Sequence, residues 1–420
     1  MELNYITVNE LRKLQYSKQT FALFDVRSQK EYKDGQILGA SNAYHLIASH
    51  NITILVENKA VRIILYSNVE KRAAEVAGKL YESGYDNLFI LQGGLEEWKK
   101  IGYPVVEGVH VQSKILGEKV LNETDTIRQI KPLQLMASVK EKSSDFQLME
   151  VRPAKEVTKT GSISGAEYLP GIELYASLYD YTKSAKRVIL ICAGRTRSII
   201  AARTAALLGF DNIYELENGT RGWILEGGEL SHDIPYGRSP SEESREFFSQ
   251  KAHELAQNDN ISFIDAEDLE TLSKKPFTDF VAIDIRQYSD YTSKGHIEFS
   301  RSYEGGQIIQ NTDDALIIHN YRYILIGEDD AQAIVVAYWM KRLGYEDVLV
   351  LRGGISSWKE KGLPLVFEDT RLLKPNPEWK SEEDFMDDPI AEARHYIDWE
   401  SSIINKAEYM EAFGDNLNQE

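Results

Sequence analysis

A threefold internal repeat constrains this chain more than any other feature. Residues Arg62 to Trp98 lie without a gap on Arg187 to Trp223 after a shift of 125 positions, and on Arg322 to Trp358 after a shift of 260. Arg62, Arg187 and Arg322 coincide, as do Gly84, Gly209 and Gly344, and Trp98, Trp223 and Trp358. The upstream halves repeat as well, with one small insertion in the second. FALFDVR (21–27), FQLMEVR (146–152) and FVAIDIR (280–286) each run from an apolar strand pattern into acid, apolar residue, arginine. Each is followed four residues later by Glu31, Glu156 or Asp290, and these charges read as structural salt bridges that pin a loop. GQILGA (35–40), GSISGA (161–166) and GHIEFS (295–300) then read as a turn into a further strand.

A chain built this way must solve one folding problem three times. Each unit reads strand, loop, strand, helix, strand, helix over about 105 residues. Short apolar strands separated by amphipathic helices imply parallel strands with helical crossovers, so the expected class is α/β, a parallel sheet flanked by helices on both faces. The units are placed at 1–107, 121–232 and 261–366. Between the last two, 233–260 reads as a linker helix that starts at Ser239-Pro240 and docks through Phe247, Phe248, Ala252, Leu255 and Ala256. Residues 367–420 form a partly helical tail. Asp388 and Pro389 open a helix bearing Ile390, Ala393, Ile397 and Trp399, followed by Ile403, Ile404, Met410 and Phe413, and that much apolar surface should fold back on the body.

The repeat isolates one stretch, VILICAGRTRS (188–198), that carries the only cysteine of 420 residues. It reads as a strand, a tight loop and a helix from Ser198 onward. Ligands gather at the carboxyl ends of parallel strands, where Cys192 sits. A helix N-terminus with Arg195 and Arg197 beside it favours an anion, so the thiol is expected to be partly thiolate near neutral pH. The same position is Ser67 in the first unit and Gly327 in the third, and acids follow in both loops. Those two units are therefore expected to be non-catalytic. The formal charge of −18 makes the arginine cluster a local exception and argues against nucleic acid or an anionic membrane surface as partner. One cysteine excludes an internal disulfide and leaves Cys192 without a resolving partner in the chain. Eight scattered histidines form no ligand pattern, no phosphate-binding glycine loop is apparent, and neither a leader nor a membrane span is seen. The expectation is a cytoplasmic protein with no metal and no cofactor.

The aspartate-valine-arginine element, the G-H-I-x-G-A element, a cysteine loop that opens a helix, and G-Y/F-D-N followed by G-G and Trp together resemble the rhodanese family of sulfurtransferases. The resemblance covers about 5–107, 128–231 and 262–366, in the manner of a tandem thiosulfate sulfurtransferase with its cysteine in the middle copy alone. It implies a persulfide on Cys192, loaded from a small anionic donor such as thiosulfate and discharged to cyanide, a thiol or a protein acceptor. Backbone N–H groups of Ala193, Gly194, Arg195, Thr196, Arg197 and Ser198 would hold the persulfide, with Ser198 as fit to cap the helix as to touch the ligand. Arg195 and Arg197 would attract the donor, unless an acid of the fold ties one of them down. Glu150 and Arg152 would brace the loop from below. Related phosphatases of the same fold carry a loop one residue longer, and four residues between Cys192 and Arg197 suit one terminal sulfur better than a phosphate. Two departures stand out: Ala193 where thiosulfate-type loops carry lysine or a bulky residue, and Ser162 where the family often has histidine. The alternatives are a protein-to-protein sulfur relay and a redox-sensing thiol or weak phosphatase.

Overall fold

In a computed structural model, which describes residues 3–141, 145–275, 279–367 and 388–403, the repeat becomes three parallel sheets of one topology. In the middle unit the strands lie in the order Arg128–Ile130, Ile213–Leu216, Arg187–Ile191, Phe146–Glu150, Ala166–Tyr168, all parallel. The first unit repeats this with Asn4–Ile6, Leu88–Leu91, Arg62–Tyr66, Phe21–Asp25 and Ser41–Asn42. The third does so with Ser262–Ile264, Val348–Leu351, Arg322–Ile326, Phe280–Asp284 and Arg301–Ser302. The three-residue edge strand that opens each sheet is absent from the sequence reading, because a segment that short has no period to read.

Side chains alternate across each sheet, so each sheet has two faces to bury. Outward faces form separate small cores, such as Leu148, Ile189, Ile191 and Leu216 around Trp223 in the middle unit. Inward faces of all three sheets merge into one core that includes Phe24, Leu65, Met149, Leu190, Cys192, Leu325 and Trp339. The third unit also lends a strand to the first: Ile318–His319 pairs antiparallel with Phe21 and Ala22. His319 stacks on Phe21 at 4.6 Å and bonds the Gly39 carbonyl through Nε2 at 2.7 Å.

The helix between the second and third units spans Glu242–Asn258 and is capped by Ser241, not by Ser239. Ser241 Oγ accepts from the Ser244 N–H and is itself held by Asp180, which fixes the start one turn residue past Pro240. Phe248, Ala252, Leu255 and Ala256 are buried between helix Glu173–Ser184 and helix Ala331–Arg342. In the tail, helix Pro389–Ser402 buries Ala393 and leaves Ile390 exposed, while Ile404, Met410 and Phe413 lie outside the described residues. Among the described residues no helix is long and apolar enough to cross a membrane.

Candidate active site

Three repeated features of the sequence converge on the loop after strand Arg187–Ile191. The buried pair Glu150–Arg152 lies beneath it, with Arg152 Nη2 donating to Glu150 Oε2 and to the Gly161 carbonyl, both at 2.7 Å. Asp25–Arg27 and Asp284–Arg286 repeat this pair and its bond to Gly35 and Gly295. Ser162, in the family's histidine position, donates to Glu150 Oε2 at 2.7 Å and so satisfies the buried carboxylate. The acids four residues on go elsewhere: Glu31 to Arg72, Asp290 to Lys294, and Glu156 mainly to Arg197.

The second feature is the glycine after the sharp turn. Gly219 opens helix Gly219–Leu225, whose Thr220 and Arg221 N–H groups donate to the Cys192 and Ala193 carbonyls at 2.8 and 3.1 Å. Gly219 has φ +54°, and a Cβ there would lie 2.2 Å from the Cys192 carbonyl oxygen. Gly94 and Gly354 press in the same way on Ser67 and Gly327. The third is the tryptophan: Trp98, Trp223 and Trp358 donate their indole N–H to the carbonyls of Pro104, Glu229 and Pro364 and tie down the return of the chain.

Within the loop, Cys192 is 1% exposed, and its Sγ lies 3.2 Å from Ser198 Oγ. The helix begins at Thr196, so Ser198 is inside its first turn. Burial pushes the Cys192 thiol up, and the opposing pull of Arg197 and of the Ser198 hydrogen bonds does not overcome it. This corrects the expectation of a partly ionised thiol: desolvation of the buried sulfur outweighs Arg197 and the Ser198 hydrogen bonds.

Both loop arginines are paired. Arg197 forms a two-pronged bond to Glu156 at 2.6 and 2.8 Å. Although burial works against the charge, Arg197 pulls the Glu156 carboxyl down to about 2. Arg195 holds Glu118 on helix Val111–Glu123 and donates to Asn218 Oδ1 at 2.9 Å. An acid thus ties down both loop arginines and not one alone, which reduces the attraction expected for an anionic donor.

Two elements that carry no repeat motif cover the loop. Helix Val111–Glu123 supplies Glu118 and Lys114, and the tail helix supplies Glu392, Tyr396 and Glu400. Glu400 accepts from Thr196 Oγ1 at 2.6 Å and from buried Lys114 at 3.2 Å. Burial disfavours its charge, but Lys114 and Thr196 keep it ionised. Arg221 donates to Glu392 at 2.7 Å and lies 3.7 Å over the Tyr396 ring. At Gly194, any side chain would meet Tyr396 and Glu400 at 2.8 Å. Trp399 sits over Gly108, where a Cβ would come within 2.4 Å of its ring. Beside the loop opens a pocket of about 630 Å³ whose wall includes Lys33, His110, Ala193, Arg197, Asn311 and Tyr396. All three units, helix Val111–Glu123 and the tail thus border it. Among the described residues no group of His, Cys, Asp and Glu is placed to hold a metal ion.

The rhodanese-like domain family matches residues 7–101, 133–226 and 265–361. This chain belongs to that family. Among solved structures, a thiosulfate sulfurtransferase from Pseudomonas aeruginosa superimposes with a TM-score of 0.85 at 22% identity, covering 98% of this chain and 99% of its own, which shows that the whole three-unit arrangement is a shared fold. EanB bound to ergothioneine (15% identity, 88% of this chain and 100% of its own) and the rhodanese-like domain of Anabaena sp. Alr3790 (26% identity, 26% of this chain and 80% of its own) match with TM-scores of only 0.28 and 0.24. No curated protein sequence matches. Of the residues proposed from sequence, Cys192 through Ser198 come together with Glu150 and Arg152 below them. Sequence reasoning missed Lys114, Glu118, Glu215, Tyr396 and Glu400.

Proposed function

We propose that this protein is a sulfurtransferase that carries sulfane sulfur as a persulfide on Cys192. The observation that carries the reading is the placement of the chain's single thiol: at the carboxyl end of a central parallel strand, in a six-residue loop from Cys192 to Arg197, beside a pocket. Family membership supports it, and so does the name of the thiosulfate sulfurtransferase that shares the fold. In the first half-reaction the Cys192 thiolate attacks the outer sulfur of thiosulfate. A new S–S bond forms, the old one breaks, and sulfite leaves with the electron pair. The backbone N–H groups from Ala193 to Ser198 then hold the terminal sulfur. In the second, cyanide or a thiol takes that sulfur and returns the thiolate. With no second thiol in the chain, the acceptor comes from outside.

One observation favours a second reading. Cys192 is buried and its two arginines are neutralised, which suits a sulfur atom delivered by a partner protein that displaces the tail helix better than free thiosulfate. A lone thiol without a disulfide partner suits a reducing, cytoplasmic setting in either case. The test is steady-state turnover with thiosulfate and cyanide, followed as thiocyanate formed. The first reading expects turnover that Cys192→Ser abolishes. Turnover near background, with persulfide loading from a persulfidated protein donor, establishes the relay instead. Transfer from neither donor overturns the sulfurtransferase reading.

A further inference from the structure

The inward face of the middle sheet buries a carboxyl group that no other unit has. Glu215, on strand Ile213–Leu216, is 1% exposed, and its Oε2 lies 3.1 Å from Ser198 Oγ. The same hydroxyl is the one 3.2 Å from Cys192 Sγ. On the other side Glu215 accepts from Gln129 Nε2, its register partner on the edge strand. Thiol, hydroxyl and carboxyl therefore form one hydrogen-bonded line. The hydroxyl also reaches the Arg195 carbonyl at 3.2 Å, which fixes its place in the helix turn.

The repeat supplies an internal control. In the first unit the three positions are Tyr5, Ala73 and Ile90, and in the third they are Phe263, Ala333 and Val350. Where the cysteine is missing, the polar line is missing with it, and the same sites are apolar or aromatic. A carboxyl group at such a site costs free energy to bury. A scaffold that is stable twice without it has no structural need of it here.

We propose that Ser198 and Glu215 form a proton relay that takes the thiol proton of Cys192 as its sulfur attacks. The proton on sulfur passes to the Ser198 oxygen while the Ser198 proton passes to Glu215 Oε2. Serine stays neutral, the negative charge moves from carboxylate to sulfur, and no other reactant is needed. Return of the thiolate after discharge runs the relay backward. A hydroxyl can donate and accept at once, which is the property the middle position requires. Glu215 acts through Ser198 and is thus a positioning and proton-holding residue.

The charges around the line fit this use. Burial pushes the Glu215 carboxyl up to about 7, against the pull of Gln129, Ser198 and Arg195, with Glu217 adding to the rise. Arg195 is in turn shared with Glu118 from helix Val111–Glu123. Around the sulfur stand Arg197 and Glu150 as well as Ser198. A carboxyl poised near neutrality is the right partner for a proton exchanged at that pH.

The inference rests on Cys192 as the nucleophile but not on the sulfur donor, so its test involves no sulfur transfer. The measurement is the rate of Cys192 alkylation by iodoacetamide in the full-length protein from pH 5 to 10. The native protein is expected to show two rising limbs, the lower one centred near pH 7 where Glu215 becomes a carboxylate. Glu215→Gln should lose the lower limb, a fall of roughly ten- to a hundredfold at pH 8, and keep the upper one. Ser198→Ala should do the same, and Ser198→Thr, which keeps a hydroxyl, should restore it. A lower limb that survives Glu215→Gln or Ser198→Ala overturns the relay. If Glu215→Gln does not fold, the Ser198→Ala and Ser198→Thr pair decides. A persulfide that never forms while the lower limb is intact would sink the sulfurtransferase reading and leave the relay standing.

Discussion

The Cys192 loop and its counterparts at Ser67 and Gly327 leave the corresponding strand of their respective sheets, and each is pressed by the corresponding glycine, Gly219, Gly94 or Gly354. They differ in what lies above. Over Cys192 sit helix Val111–Glu123, which pairs Arg195 through Glu118, and the tail helix, which holds Thr196 through Glu400, while Arg197 pairs with Glu156 of its own unit. Over Ser67 the loop ends in exposed Val69, and in the third unit Glu328 is half exposed. The scaffold is thus common to three units, while the cover and the polar line behind the sulfur belong to one. On the function proposed above, a reactive loop is expected to need both additions as well as the cysteine.

The strongest way to break this comparison is to move the cysteine. Cys192→Ser should reduce sulfur transfer to background, and adding Ser67→Cys or Gly327→Cys to that variant should leave it there. At Gly327 a Cβ would also meet the Asp329 carbonyl at 2.4 Å, so that variant loses stability as well. Activity regained at either position would show that the cover and the relay are dispensable.

Next in size is the cover. Glu400→Ala leaves Lys114 buried without its carboxylate and should cost about 3–5 kcal/mol in a denaturant titration. Glu328→Ala, at the half-exposed ion pair of the third unit, should cost under about 1 kcal/mol.

Glu215 sharpens the contrast with a change of opposite sign. Its carboxyl titrates near 7 in the folded chain and near 4.5 when unfolded, so between those values the folded state binds the extra proton and stability falls as pH rises. Glu215→Gln removes that loss. The variant should be more stable than the native chain by on the order of 3 kcal/mol at pH 8, with most of the difference gone at pH 4. Denaturant midpoints at the two pH values measure this directly.

Smaller effects separate the shared scaffold from the chemistry. Gly94→Ala and Gly219→Ala force a side chain against the Ser67 and Cys192 carbonyls at positive φ, and each should cost about 1–3 kcal/mol or more. Gly219→Ala alone should also lower turnover, because it moves the loop that carries the sulfur. Least of all, Arg322→Ala at the half-exposed pair with Asp347 should change stability by less than about 1 kcal/mol, as befits an arginine present in all three units.

Much of this is legible in the sequence. The gapless repeat carries the α/β class, the three units and the one loop that holds a cysteine, because period and register survive in sequence. The cover was not legible: Tyr396 and Glu400 carry no motif, and only long-range packing brings a tail helix to a loop some two hundred positions away. The ionisation of Cys192 is not legible for the same reason, since Arg197 and Ser198 are local in sequence while the burial that outweighs them is not. Glu215 was within reach. It stands where the other two copies have Ile90 and Val350, and a carboxyl among β-branched core residues was a signal to follow.

The central claim is that the covered middle thiol carries sulfur. Intact mass of the full-length protein after incubation with thiosulfate, with Cys192→Ser in parallel, tests it most directly. The expected result is a gain of one sulfur atom that cyanide removes and that the variant never shows. No gain from thiosulfate, from other small sulfane donors or from a persulfidated protein, with Cys192 still open to alkylation, would contradict it.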